Sequence, residues 1–193
     1  MDISEVSNKF KVCDIVINNN PYYRKLWDVI WVNECDNDIL TQNNGRCYFI
    51  IVNGIIKKIG FSDQNGGIKS TINSYKNSGN SGRPSDRTHG IHVMIAEELL
   101  KGNKVEFYFT YNKNIEIEIE LMDGTKKISK QSLSGKILEN ENMDIYKSKL
   151  GKYPDWNLQE AGKPWPKYLQ ESRINLFDGK PVTYEDIKLR LGI

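Results

Sequence analysis

Arg46-Cys-Tyr-Phe-Ile-Ile-Val-Asn-Gly-Ile-Ile-Lys-Lys-Ile-Gly-Phe-Ser62 decides the fold. Residues 46–53 form a β-branched and aromatic run, which suits a buried, pleated surface. Asn53-Gly54 is the pair that a two-residue hairpin turn demands, because both central positions take positive φ. Residues 55–61 return as the partner strand. Tyr48 and Lys58 then stand on facing strands, where side chains meet across the pair.

Working outward, Ser62 or Asp63 can cap a short helix at 68–75, with Ile68, Ile72 and Tyr75 on one face. A polar loop follows at 77–84, then a helix at 88–101 that Gly102 stops. A third strand is predicted at 105–111. Strict alternation at 115–121, the Asp123-Gly124 turn and residues 126–129 read as a second hairpin. A helix at 134–150 ends at Gly151. Upstream, residues 1–40 read as a helical or irregular arm, with a turn at 18–21 and a helix over 22–32 from the spacing of Leu26, Val29 and Ile30. Residues 42–45 are a turn, and 161–193 wrap the core before a terminal helix at 183–191. The expected class is α+β: a small three-stranded antiparallel sheet flanked by helices, an extra hairpin at 112–131 and terminal decorations. One domain spans 1–193, with its core at 41–160.

At 193 residues and 38% hydrophobic content, one core is expected rather than two. No stretch is apolar enough for a membrane span, so no membrane partner is expected. The opening MDISEVSNKF carries Asp2 and Glu5 and no apolar run, unlike a secretory signal. Cys13, Cys35 and Cys47 lack CxxC spacing, which predicts reduced thiols in a cytoplasm and no thiolate zinc site. A net charge of +2 decides nothing by itself. Basic residues gather at 57–58, 69–87, 126–136 and 147–167 among Asn, Ser, Tyr and Trp. Such mixtures suit a phosphate backbone, and equally a solvated surface.

Tyr48-Phe-Ile, a hairpin, then Lys58-Ile-Gly-Phe-Ser62 resembles the GIY-YIG nuclease family, in the variants where lysine stands for the second tyrosine. Pro154-Asp-Trp-Asn157-Leu-Gln159 is similar to the P-x-W-N-x-Q segment that follows the glutamate helix in such enzymes. The motifs cover 46–62 and 137–159; the middle matches by element order alone. The resemblance implies a DNA endonuclease using Mg²⁺ or Mn²⁺, with Tyr48 at the nucleophile, Lys58 beside it, Arg87 on phosphate and Glu139 on metal.

These residue types suit phosphodiester hydrolysis, which needs an activated water, a cation against developing charge and a route for the leaving oxygen. A carboxylate holds Mg²⁺, an arginine forks onto phosphate, and a tyrosine beside cations moves a proton at lowered pKa. Each has a plain structural alternative, such as Tyr48 as a core tyrosine. The helix after the second strand offers Ile68 and Lys69 where the family commonly has arginine. Arg87, with Arg83 as fallback, takes that role, followed by His89 and His92 on one helix face. His92 leans to the core, so a structural histidine stays open beside a catalytic one. Glu139 competes with Glu141 for the metal, and Asn157 and Gln159 orient the site, bind phosphate or simply close a turn.

A PD-(D/E)xK reading lacks its leading Pro-Asp, and Asp186-Ile-Lys188 falls in a predicted helix. Two histidines and three scattered cysteines are too few for a zinc or ββα-metal nuclease. Phosphate loops, dinucleotide fingerprints and serine elbows are missing. A silent DNA-binding module remains a rival, with Trp27, Trp31, Trp156, Trp165, Tyr22 and Tyr23 to stack on bases. A structure-specific repair or homing nuclease is another. The absence of a linker and second domain favours a restriction-type enzyme on double-stranded DNA, a homodimer whose ends and 112–131 hairpin read bases.

Overall fold

A computed structural model describes residues 1–19, 25–32, 40, 45–63, 65–78, 83–111, 115–131 and 133–193. Expectations for Tyr22, Tyr23, Cys35, and parts of the 18–21, 42–45 and 77–84 turns and loop lie outside these residues.

The deciding hairpin forms as read. Strands β3 (Arg46–Val52) and β4 (Ile55–Ser62) pair antiparallel around Asn53 and Gly54, at φ 48° and 83°. A bulge between Ile50 and Ile51 leaves Tyr48 opposite Gly60 and Ile50 opposite Lys58. Strand β5 (Val105–Tyr111) flanks β3 on the other side, in register Tyr48–Phe109.

The class is α+β, but the sheet carries two more strands than the three expected. Strands β1 (Phe10–Ile17) and β2 (Trp27–Trp31) extend it in the order β2-β1-β5-β3-β4. The predicted helix over 22–32 is therefore corrected at its described end. Trp27, Val29 and Trp31 alternate at period two, and Trp27 is wholly buried while Ile30 is exposed. β-Branched and aromatic residues lose less freedom in a strand, so pairing with β1 overrides the weak helical spacing. The arm begins with a 3₁₀ turn, Ile3–Glu5, capped by Asp2.

Helices α1 (Gly67–Asn77), α2 (Asp86–Leu100), α3 (Gly135–Leu150), α4 (Lys167–Phe177) and α5 (Tyr184–Leu191) cover the sheet. Ser85, Ser134 and Thr183 cap α2, α3 and α5, and α3 and α5 stop at left-handed Gly151 and Gly192. Helix α4 was missed in the sequence, because the Trp- and Pro-rich run before it reads as irregular. Strands β6 (Ile115–Glu120) and β7 (Lys126–Gln131) form the expected second hairpin, a separate two-stranded sheet.

The sheet has two apolar faces. Tyr48, Ile50, Phe107 and Phe109 pack with Ile72 and Tyr75 of α1, Ile91 and Ile95 of α2, and Leu169 and Ile187 further on. Cys47, Phe49, Ile51, Ile56 and Ile59 face Leu138, Met143 and Tyr146 of α3. Each large apolar side chain buried this way contributes roughly 1.5–3 kcal/mol. Trp27, Trp156 and Trp165 belong to the first face, so they pack the core rather than standing free to stack on bases. No helix of the described residues is long and apolar enough to cross a membrane.

Candidate active site

Tyr48 reaches its neighbours because residue 60 has no side chain. A Cβ on Gly60 would lie 2.3 Å from the Tyr48 hydroxyl, well inside any real contact. With glycine there, the Tyr48 ring lies across β4 and its hydroxyl meets that of Tyr75 at 2.6 Å. The rings sit edge to face, 6.2 Å apart. Burial pushes Tyr48 well above the usual phenol range, and the Tyr75 phenol and the Glu139 charge push the same way; Arg87 opposes them. The expectation that neighbouring cations lower its pKa is corrected: desolvation outweighs them. Burial likewise pushes Tyr75 up to about 12. Gly60→Ala should displace the Tyr48 ring, costing about 1–3 kcal/mol in denaturant unfolding and most of any cleavage activity.

Lys58 stands two residues earlier on β4, on the same side as Gly60, and is 1% exposed. Burial pulls its ammonium down to about 8; Glu160 raises it, and Arg87 lowers it further. Glu160 is itself pushed up by burial, yet Lys58, a backbone hydrogen bond and Arg87 hold it below the usual carboxylate range. At pH 7 the lysine is charged in both the folded and unfolded chain, so the folded state carries the full desolvation cost. Between about pH 8 and 10.5 only the unfolded chain holds that proton, so stability climbs with pH in this window. Lys58→Met should therefore raise the melting temperature at pH 7, by at most about 3 kcal/mol of relieved desolvation less what Glu160 loses with its partner. That gain should shrink as the pH passes 8 and approaches 10.5, while cleavage is lost.

Glu160 is carried by the Pro154–Gln159 string, which straps the open edge of β4. The Asn157 carboxamide accepts from the Ile59 N–H and donates to the Ile59 carbonyl, each at 2.8 Å, as a neighbouring strand would. Trp156 N–H bonds the Lys57 carbonyl at 2.8 Å, and Asp155 pairs with the Lys57 ammonium at 2.8 Å. Asn157 therefore acts on backbone, and Gln159 is the strap residue that faces the cleft.

Arg87, at the start of α2, donates through Nε to Gln159 Oε1 at 2.8 Å and through its terminal nitrogen to Glu160 at 3.1 Å. Together with Tyr48, Tyr75, Phe61, Ser62 and Gln159 it lines a cleft of about 580 Å³. Arg83 instead lies over the Phe177 ring, 5.8 Å from its centre. His92 is wholly buried and absent from the cleft lining. Its Nδ1 is 3.0 Å from the Tyr75 carbonyl, and burial draws its pKa down to about 3, so it is a neutral donor fixing the end of α1. His89 bonds Ser172 at 2.5 Å, joining α2 to α4. The histidine pair thus braces helices, and His92 bears on the cleft only through Tyr75.

Glu139 is 1% exposed on the inward side of α3 with Leu138, Met143 and Tyr146, whereas Glu141 and Ile145 are exposed. The helix therefore turns its other stripe inward than the one aligning Glu141 with Ile145. Helix α3 packs on the sheet face opposite Tyr48, and Glu139 does not line the cleft. Its charge nevertheless acts on Tyr48, Lys58, Tyr75 and Cys47. Oε2 accepts from Lys136 at 2.5 Å, and Lys136 also lies 5.5 Å from the centre of the Phe61 ring at the cleft wall. Oε1 is buried with no hydrogen-bond partner among the described residues. An orphaned buried carboxylate oxygen lacks a partner that a hard divalent cation could supply. No group of three or more His, Cys, Asp or Glu side chains stands ready for a metal among the described residues.

The fold thus brings Tyr48, Lys58, Arg87 and Glu139 into one electrostatic neighbourhood, sets His92 behind it and leaves Arg83 and Glu141 outside. Sequence reading missed two members. Tyr75 shares its helix face with Ile68 and Ile72 and so reads as core; nothing in its spacing marks the hydroxyl. Glu160 directly follows the Pro154–Gln159 string, and that adjacency was the available signal.

No family model and no curated protein matches the chain. Among solved structures, a mutant of bacteriophage T4 EndoII superposes with a TM-score of 0.50 at 17% identity, over 81% of this chain and 99% of that one. Restriction endonuclease HPY188I in complex with product DNA gives 0.42 at 21% identity, over 80% and 84%. The chain shares the fold of T4 EndoII.

Proposed function

We propose that this protein is a metal-dependent, sequence-specific endonuclease of the GIY-YIG type, a restriction-type enzyme acting on double-stranded DNA as a homodimer. The observation that carries this reading is the convergence on one cleft of a buried phenol pair and an arginine, with a buried lysine on the same side of the edge strand and the Glu139 charge acting from the opposite face. The shared fold with T4 EndoII, an endonuclease, agrees with it.

Arg87, already oriented by Gln159 and Glu160, turns its fork to the scissile phosphate. Tyr48 enters as a neutral phenol that orients the attacking water and takes its proton while passing its own to solvent in the cleft, and the Tyr75 hydroxyl holds it in place. Lys58 holds positive charge at neutral pH and opposes the charge that develops on phosphate. Glu139 would hold Mg²⁺, which supplies Lewis-acid stabilisation and a bound water when present.

Incubating the purified protein with mixed-sequence plasmid, with and without Mg²⁺, tests the proposal. Discrete fragments that need the metal support it; a smear points to a nuclease without sequence preference. Slowed migration of uncut DNA under every metal condition would overturn it in favour of a binding module.

A further inference from the structure

A second hollow, of about 530 Å³, lies between the end of α3 and the strap. Lys147, Lys152 and Lys163 line it against a single carboxylate, Asp155. That carboxylate is already neutralised twice over, by Lys57 at 2.8 Å and Lys152 at 3.0 Å. Lys147 rests 4.9 Å from the centre of the Tyr153 ring, and Lys163 has no ion pair among the described residues. The hollow therefore presents two ammonium groups without a carboxylate partner among the described residues. Lysines in the last turn of α3 complement the helix dipole, but Lys163 lies on no helix, so the dipole does not account for the set. Tyr153, Pro154, Leu158 and Ala161 supply an apolar lining.

Its place in the fold matters more than its charge. Leu158 lines this hollow and Gln159 lines the cleft, so consecutive residues of one strap wall both. Lys57 and Lys58, also consecutive, point to the two faces: Lys57 holds Asp155 in the groove, and Lys58 shares the face of Gly60 and Tyr48. A strand whose phosphate sits at Arg87 and then crosses the strap enters the basic groove.

We infer that the groove between α3 and the strap is a backbone-binding subsite, in which Lys147 and Lys163 take phosphates that flank the scissile one on the same DNA strand. It reads no bases, because lysine on phosphate positions the duplex without sequence information. Its work is to hold the strand in register with Tyr48 and Arg87. This rests on the nuclease reading above.

The test is the salt dependence of binding, measured by fluorescence anisotropy on a duplex in EDTA, so that nothing is cut. The double variant Lys147→Gln/Lys163→Gln should flatten the slope of log affinity against log salt by about 1.8, two phosphate contacts at roughly 0.9 each. Affinity at 0.1 M salt should fall roughly tenfold or more, equally for every sequence. Both lysines are exposed, so the melting temperature should stay put. Lys188→Gln on α5 should leave the slope unchanged. An unchanged slope in the double variant, or an equal loss in Lys188→Gln, overturns the subsite while the parent's cutting still upholds the nuclease reading. A parent that binds through these lysines yet never cuts overturns the nuclease reading and keeps the subsite. A parent that binds no duplex overturns both.

Discussion

Glu139→Ala should lower Mg²⁺-supported cleavage by about 10³-fold or more, because it removes the group proposed to fix the cation and its several kcal/mol of charge stabilisation. Duplex binding measured in EDTA should stay within about threefold of the parent, since Arg87 and the lysines of the groove carry the phosphate contacts. The fold should tolerate the change. Oε1 has no hydrogen-bond partner among the described residues, and Oε2 pairs with a half-exposed lysine, so alanine deletes a polar group that was poorly satisfied. Lys136, released from its partner, gives a second readout: metal titration followed by thermal shift should stabilise the parent and not the variant. Full activity in Glu139→Ala would dismantle the site, because Glu141 points to solvent and Glu160 is engaged with Lys58 and Arg87.

Tyr48→Phe should reduce the single-turnover rate by about 10²–10⁴-fold, the usual reach of a positioned proton-transfer group. The substitution keeps the ring over Gly60 and beside Phe107 and deletes only the hydroxyl. Tyr75 then loses its 2.6 Å partner deep in the protein, at a cost of about 1–3 kcal/mol in denaturant unfolding. The mirror variant, Tyr75→Phe, removes the same hydrogen bond with the same stability cost. It should slow cleavage far less if Tyr48 is the group at the nucleophile. Equal rate losses in the two variants would assign the chemistry to the pair rather than to Tyr48.

Much of the fold was legible because its signals are local. Asn53-Gly54, the 115–120 alternation and the Ser134-to-Gly151 frame each state their own geometry. The errors came where pairing partners lie far away: residues 27–31 become a strand through contact with β1, which no short window reveals. The site divides in the same way. Tyr48, Lys58 and Glu139 are carried by recognisable strings, whereas Tyr75 acquires meaning only when α1 folds back over β3. The pKa of Tyr48 was misjudged because counting nearby charges ignores the water that folding removes.

The carboxamide of Asn157 has a consequence outside the chemistry. Strand β4 ends its sheet, and a bare outer strand offers its amides to any passing copy, the usual start of fibrous self-templating. Here one side chain occupies the Ile59 amide and carbonyl that such a copy would seize, and Trp156 occupies the Lys57 carbonyl. The polypeptide that brings Gln159 and Glu160 to Arg87 thus also denies this edge of the sheet to a strand from another copy.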